Sequence, residues 1–345
     1  MDTPKISVLI PLYNRKQYAA DCLKSVLNQT FQDFEIIIRD DCSTDGVFEF
    51  VRDNFSDSRI KLLRNKKNLG EAGTINLLVR DAAGKYFTIL HNDDLYLANA
   101  LQNFYETAER FNADVVHGAR FFISEDSGII SNDKPLKKIS FDKFPVQKIE
   151  LLRDEPIFRF NEWFDGKIFR DLQYNIFRRK FILDGKIFSD IDKEELLVLS
   201  LKMIMNAKIF VKTPESFYIR RENPYTQTKA RGNLEKEIEK RIKFFRWLEK
   251  FISQFELFRN NDALQYKIKA RFFGLYEDLN FDNSFYGDEK FAGVYASIEN
   301  TFRKYFGDDA VYLAMMYHWA HAMHFNQNQA QGILQSCLKI LQQRI

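Results

Sequence analysis

Residues 86–96 read Tyr-Phe-Thr-Ile-Leu-His-Asn-Asp-Asp-Leu-Tyr, an apolar strand pattern that runs straight into Asp93 and Asp94. Two adjacent carboxylates at the end of a buried strand are costly to hold unless something offsets their charge. A divalent metal clamped to a diphosphate would do so, because Mg2+ and Mn2+ take oxygen ligands and complete their shells with water and phosphate. The alternative is a solvated turn between strand and helix, where Asp is common.

Outward from this stretch, strand and helix patterns alternate. Ile6 to Ile10 is a β-rich run stopped by Pro11, and Asn14 with Gln17 reads as a helix start. Tyr18, Cys22, Leu23, Val26 and Leu27 then share one helical face. Phe34 to Ile38 is a second strand ending at Arg39-Asp40-Asp41. Ser43 to Gly46 is a turn before a helix through Val47, Phe50 and Val51. Ile60 to Leu63 is a third strand, closed by Asn65 to Gly70, and a helix over 72–82 leads to Gly84 and the opening stretch. This alternation predicts a parallel sheet with right-handed crossovers, and such sheets bind ligands beyond the carboxyl ends of their strands. Pro11 to Asn14, Asp40 to Asp41, Asn68 to Gly70 and Asp93 to Asp94 should therefore share one rim.

Further along, Asp114 to His117 and Arg120 to Ile123 read as two strands, and 124–148 as a polar, lysine-rich irregular stretch. Tyr174 to Phe177 and Lys208 to Val211 read as strands, with a helix through Leu196, Leu199, Met203 and Ile204 between them. From Gly232 onward Leu234, Ile238, Ile242, Phe245, Leu248, Ile252 and Phe255 trace one face of a long helix. The expected division is an α/β domain over 1–225 and an α-helical domain over 226–345.

Composition narrows the class. The 345 residues suit one large or two unequal domains, and 45% apolar residues can fill a sizeable core. A formal charge of +3 is too small to point to nucleic acid. Cys22, Cys42 and Cys337 show no metal-ligand spacing and read as free thiols in a reducing compartment. No run of roughly 18 apolar residues or signal-peptide pattern occurs. The expectation is a soluble, cytoplasmic chain, with room for contact with the inner face of the membrane.

The rim residues, in this order, resemble the family 2 glycosyltransferases of the GT-A fold. The pieces are Ser7 to Asn14, Ser25 to Phe31, Asp40 to Gly46, Asn68-Leu69-Gly70 with Asn76, and His91-Asn92-Asp93-Asp94. The match is close over about 5–100 and looser over 170–222. It implies a GT-A-like, Rossmann-like fold, with a mostly parallel sheet flanked by helices. It also implies inverting transfer of a sugar from a nucleotide sugar, UDP-linked, to a hydroxyl of a glycan, glycolipid or glycoprotein, assisted by Mn2+ or Mg2+.

The resemblance further implies nucleotide contacts from Pro11, Leu12, Tyr13 and Asn14, with Tyr13 lying along the base. Asp41 is similar to the carboxylate that accepts the uracil imide N–H, while Asp40 braces the loop. Asn68 and Gly70 let backbone approach the nucleotide, Asp93 faces the ribose or metal shell, and Asp94 ligates the metal. His91 stands where the family often has a third Asp, and could be a ligand or contact the ribose. The family places its general base in an acidic pair ahead of a helix, then a Lys-Ile strand and a Tyr-x-Arg. Counting back from Lys208-Ile209 puts that base at Glu195, with Asp190 and Asp192 as rivals. Arg220, or Arg221 beside it, resembles the cation that meets the leaving diphosphate.

Two further groupings stay open. Phe158, Phe160, Trp163 and Phe164 could stack on an acceptor sugar or fill the core. His318, His321 and His324 recur every third residue and read as structural. Rival functions are a nucleotidyltransferase, which lacks its Gly-rich basic loop here, and a non-catalytic nucleotide-sugar-binding or scaffolding module. Self-association through the C-terminal helices is compatible with their apolar faces.

Overall fold

The computed structural model describes residues 3–124, 139–141, 147–168, 171–188, 196–222, 247–248 and 250–261. Contacts divide the chain into two compact units, Met1–Thr226 and Gln227–Ile345.

In the first unit β1 (Ile6–Leu12) lies parallel between β2 (Phe34–Asp40) and β4 (Tyr86–Ile89), and β3 (Ile60–Arg64) extends the sheet beside β2. Ile6, Val8, Leu9 and Ile10 are all buried, as expected of a central strand covered on both faces. The crossovers are α1 (Lys16–Leu27), α2 (Val47–Asn54) and α3 (Gly70–Asp81). Leu12 stands opposite Asp40 and Asp40 opposite Arg64, so these strands end at one level. That shared edge positions the site.

Beyond β4 come β5 (Leu95–Tyr96), α4 (Ala100–Arg110), β6 (Val115–Ser124), β7 (Ile139–Phe141) and β8 (Glu150–Leu152). Then follow α5 (Pro156–Phe164), β9 (Asn175–Arg178), α6 (Arg179–Asp184), α7 (Leu196–Asn206) and β10 (Phe210–Glu222). The ten-stranded sheet runs β3-β2-β1-β4-β9-β6-β10-β5, with β7 on β6 and β8 on β10.

The GT-A-like sheet is parallel through β1 to β4 as expected, while β9 is inserted antiparallel between β4 and β6 and β5 pairs antiparallel with β10. Three expectations are corrected. Residues 115–124 form one strand rather than two, since Gly118 leaves the space that the Phe217 ring fills and the ladder to β10 continues past it. The stretch 124–148 contains a strand, β7. Finally, α1 begins at Lys16 without a side-chain cap. Asn14 and Arg15 are left-handed (φ 55° and 64°), and Asn14 Oδ1 instead accepts the Thr44 N–H at 2.9 Å.

The aromatic cluster on α5 belongs to the core. Phe160, Trp163 and Phe164 are buried, and Trp163 Nε1 donates to Ser200 Oγ on α7 at 3.1 Å. Beside them the fully buried Arg159 donates to the carbonyls of Arg153 (2.8 Å) and Lys208 (2.9 Å). Those bonds satisfy a guanidinium that could not otherwise be buried cheaply.

In the second unit the rings of Trp247, Phe251, Phe255 and Phe258 follow one another at 4.9, 5.4 and 5.8 Å, and α8 (Glu256–Arg259) carries the last. Most of the helical pattern expected after Gly232, with Cys337 and the three histidines His318, His321 and His324, lies outside the described residues.

Candidate active site

Four segments leave the carboxyl edge of β1 to β4, and they are tied in a closed circuit. The first joins the second where the Asn14 N–H donates to Ser43 Oγ at 2.8 Å. The second holds the third through Asp41, whose Oδ1 accepts from Asn65 Nδ2 and from the Leu69 N–H, each at 2.8 Å. Asn68 Nδ2 adds a bond to the Asp41 carbonyl at 3.2 Å. The third reaches the fourth through Glu71, in the first turn of α3, whose Oε1 lies 2.6 Å from His91 Nε2. The fourth returns to the first: Asn92 Nδ2 donates to the Asn14 carbonyl at 2.7 Å, and Arg15 pairs with Asp93.

The neighbouring carboxylates on β2 divide their work. Asp40 is fully buried, accepts the Ser43 N–H and pairs with Arg64 Nε at 2.9 Å, so it braces its own turn. Asp41 is buried as well, but reaches across to the third loop. Gly70 has φ +71°, and a side chain there would meet nothing within 4 Å, so the backbone at the start of α3 faces open space. Leu12 is buried, Pro11 is half-buried, and the Tyr13 ring is 49% exposed at the same edge.

The fourth loop concentrates charge. His91, Asp93 and Asp94 each offer a ligand atom within 4.8 Å of the others, an N/O set that suits a divalent ion. Burial first, then the adjacent Asp93 carboxylate, push Asp94 up to about 6, against the opposing pull of His91, the Tyr218 hydroxyl and the Arg221 N–H. A buried carboxylate that resists ionisation gains most from a bound cation. Burial alone would lower the His91 pKa, but the Glu71 carboxylate outweighs it and holds the imidazole at about 9.

Strand β10 closes the site from the other side. The Tyr218 hydroxyl donates to Asp94 Oδ2 at 2.5 Å, and the Arg221 N–H donates to Asp94 Oδ1 at 2.8 Å. Arg221's guanidinium turns away, to Asp21 at 3.2 Å and over the Tyr18 ring at 4.8 Å. For Arg220 burial favours the neutral form, yet Tyr174, Asp171 and Asp94 outweigh it and raise its pKa. The charge of Arg220 thus feels Asp94.

Sequence reasoning did not single out Arg15 or Glu71, and met Tyr218 only as the Tyr of the Tyr-x-Arg that ends at Arg220. Glu71 and Tyr218 meet the fourth loop from far along the chain, which local pattern does not encode. Glu195, Asp190 and Asp192 lie outside the described residues; α7 begins at Leu196.

Residues 7–183 match the family described as Glycosyl transferase family 2. Glycosyltransferase GlyG of Streptococcus pneumoniae is 36% identical over 125 residues, covering 36% of this chain and 41% of the relative. UDP-Glc:alpha-D-GlcNAc-diphosphoundecaprenol beta-1,3-glucosyltransferase WfgD of Escherichia coli is 32% identical, over 41% of this chain and 56% of its own length. GalNAc(5)-diNAcBac-PP-undecaprenol beta-1,3-glucosyltransferase of Campylobacter jejuni is 32% identical, over 51% and 61%. The match thus spans about half the length of these relatives. The crystal structure of Staphylococcus aureus TarS 1-349 in complex with UDP-GlcNAc superposes with a TM-score of 0.60 at 17% identity, covering 98% of this chain and 92% of that one. That likeness establishes the GT-A-like fold. The chain belongs to glycosyl transferase family 2.

Proposed function

We propose that this chain is an inverting glycosyltransferase that moves a sugar from a UDP-linked donor to a hydroxyl of a lipid-linked glycan. The observation that carries the reading is the closed circuit of rim loops, which gathers Asp41, His91, Asp93 and Asp94 at one edge. The donor and acceptor classes are supported by the names of the relatives from E. coli and C. jejuni, and by the UDP-GlcNAc bound in the TarS structure.

In this reading the exposed Tyr13 ring lies along the uracil, and Asp41 accepts the imide N–H while Oδ1 keeps hold of the third loop. Pro11, Leu12 and Asn14 shape the base pocket, and Asn68 with Gly70 brings open backbone to the nucleotide. Asp94, with Asp93 beside it, would hold Mn2+ or Mg2+, which when bound neutralises charge on the diphosphate, while His91, charged against Glu71, stands outside the ion's shell. Arg220 supplies a second cation for the leaving UDP. Glu195 removes the acceptor hydroxyl proton as the oxygen attacks the anomeric carbon opposite the departing diphosphate. Among the described residues no helix is long and apolar enough to cross a membrane. A lipid-linked acceptor would then be met by docking at the cytoplasmic face, and the C-terminal unit is the candidate for that contact or for self-association.

The test is UDP release from UDP-glucose and UDP-N-acetylglucosamine by purified protein with Mn2+ or EDTA, alongside Asp94→Asn and Glu195→Gln. The reading expects EDTA and Asp94→Asn to abolish turnover. Unaltered turnover in EDTA would contradict the role given to the metal. A protein that binds these donors yet never releases UDP would be the non-catalytic module.

A further inference from the structure

Tyr218 is a buried phenol whose hydroxyl is committed on both sides. It donates to Asp94 Oδ2 at 2.5 Å and accepts the His91 N–H at 3.4 Å, so the incoming bond directs its own hydrogen to the carboxylate. The ring cannot drift, because Tyr96 and Tyr174 pack edge-on against it at 5.8 and 5.0 Å. Its backbone is also fixed, since Tyr218 stands opposite Tyr96 in the β5 to β10 ladder, the short strand that leaves Asp94. Three residues on, the Arg221 N–H takes the other oxygen of Asp94 at 2.8 Å. One strand therefore grips both oxygens of a single carboxylate, and between the two gripping residues it carries Arg220.

We propose that Tyr218 is the positioning residue for Asp94: with the Arg221 amide it fixes the carboxylate plane, so that β10 presents the metal ligand and the diphosphate cation as one rigid piece. This rests on the metal-assisted reading above. Each oxygen of an ionised carboxylate has two lone pairs, so one hydrogen bond apiece orients the group and leaves a lone pair on each oxygen for an ion. Without the hydroxyl, Asp94 gains torsional freedom, and ordering it again must come out of the binding free energy.

The variant is Tyr218→Phe, which keeps the ring and removes only the oxygen. The packing control is Tyr96→Phe, whose hydroxyl bonds to Thr88 Oγ1 at 2.8 Å and the Ile89 carbonyl at 3.1 Å and touches no group of the site. Mn2+ binding is read by the loss of the free-ion EPR signal, with and without UDP, and thermal melts are recorded beside it. Tyr218→Phe is expected to weaken Mn2+ binding about tenfold and to raise KM for the donor more than it lowers kcat. Tyr96→Phe is expected to lower the melting temperature while Mn2+ affinity holds. If Tyr218→Phe changes only the melting temperature, the residue is structural and the proposal fails. A second measurement uses the unmodified protein: hydrogen exchange of the peptide spanning 218–221 should slow when Mg2+ and UDP bind. Unchanged exchange there, with UDP bound, overturns the proposal even if the variant does not fold. If the wild-type protein binds UDP but takes up no Mn2+ or Mg2+, it is the metal-assisted reading that falls.

Discussion

The Asn92 side-chain amide donates to the Asn14 carbonyl at 2.7 Å, so the loop after β4 hangs on the loop after β1. Asn14 can offer that carbonyl because it is left-handed, with φ 55°, a conformation that Asn tolerates better than most residues. Asn92→Ala should therefore loosen the rim without touching the core. The expected cost is about 1–2 kcal/mol in stability and a loss of UDP affinity on the order of tenfold, read by denaturant melts and calorimetry.

The Glu71 to His91 pair gives stability a pH signature. His91 is raised from 6.5 to about 9, so its contribution is fully present below pH 6.5 and is lost as pH climbs through about 9. Glu71 is lowered, so its share is lost as pH falls into the carboxylate range. Metal-free protein should lose on the order of 2 kcal/mol between pH 6.5 and 9. Glu71→Gln should flatten that slope, as followed by urea melts across pH.

Asp94 carries the same sign as His91, in a lower pH window. Its folded pKa is raised to about 6, so ionising it from pH 4 to pH 6 works against the fold. A cation that needs the ionised form must bind more weakly below pH 6. Mn2+ affinity should fall about tenfold from pH 7 to pH 5, measured by EPR.

Glu195→Gln should leave UDP binding intact and lower transfer by about 10²-fold or more, because only the proton acceptor is lost. If Asp192→Asn or Asp190→Asn produces that loss instead, the base shifts upstream.

The parallel half of the sheet was legible because β1, β2 and β4 are buried runs and β3 an apolar-rich edge strand, all punctuated by turn residues, and because carboxyl ends of parallel strands share an edge. The family resemblance named residues on that edge, and the loops that carry Asn14, Asp41 and Asp93 are tied to one another there through Ser43, Asn92 and Arg15. The direction of β9 was not legible, since an apolar run reads the same both ways and its neighbours in the sheet are distant in sequence. Asn14 was misread because a cap and a rim acceptor ask for the same amide. The α5 aromatics stayed ambiguous because stacking on a sugar and filling a core use the same rings; only burial against α7 decides between them. Glu71, and the Asp94 contact of the Tyr in the Tyr-x-Arg, were invisible for a related reason: each matters through a partner brought close by folding.

The account stands on Asp41 and Asp94 serving a single bound nucleotide. Calorimetric titration of UDP and CDP, with Mn2+, into wild-type protein, Asp41→Asn and Asp94→Asn examines that joint service. Asparagine at 41 keeps an oxygen for the Leu69 N–H but offers an N–H where uracil needs an acceptor. The account expects wild-type protein to prefer UDP, Asp41→Asn to lose that preference, and Asp94→Asn to lose the contribution of Mn2+ to both ligands. Equal binding of UDP and CDP by all three proteins, with or without Mn2+, would contradict it.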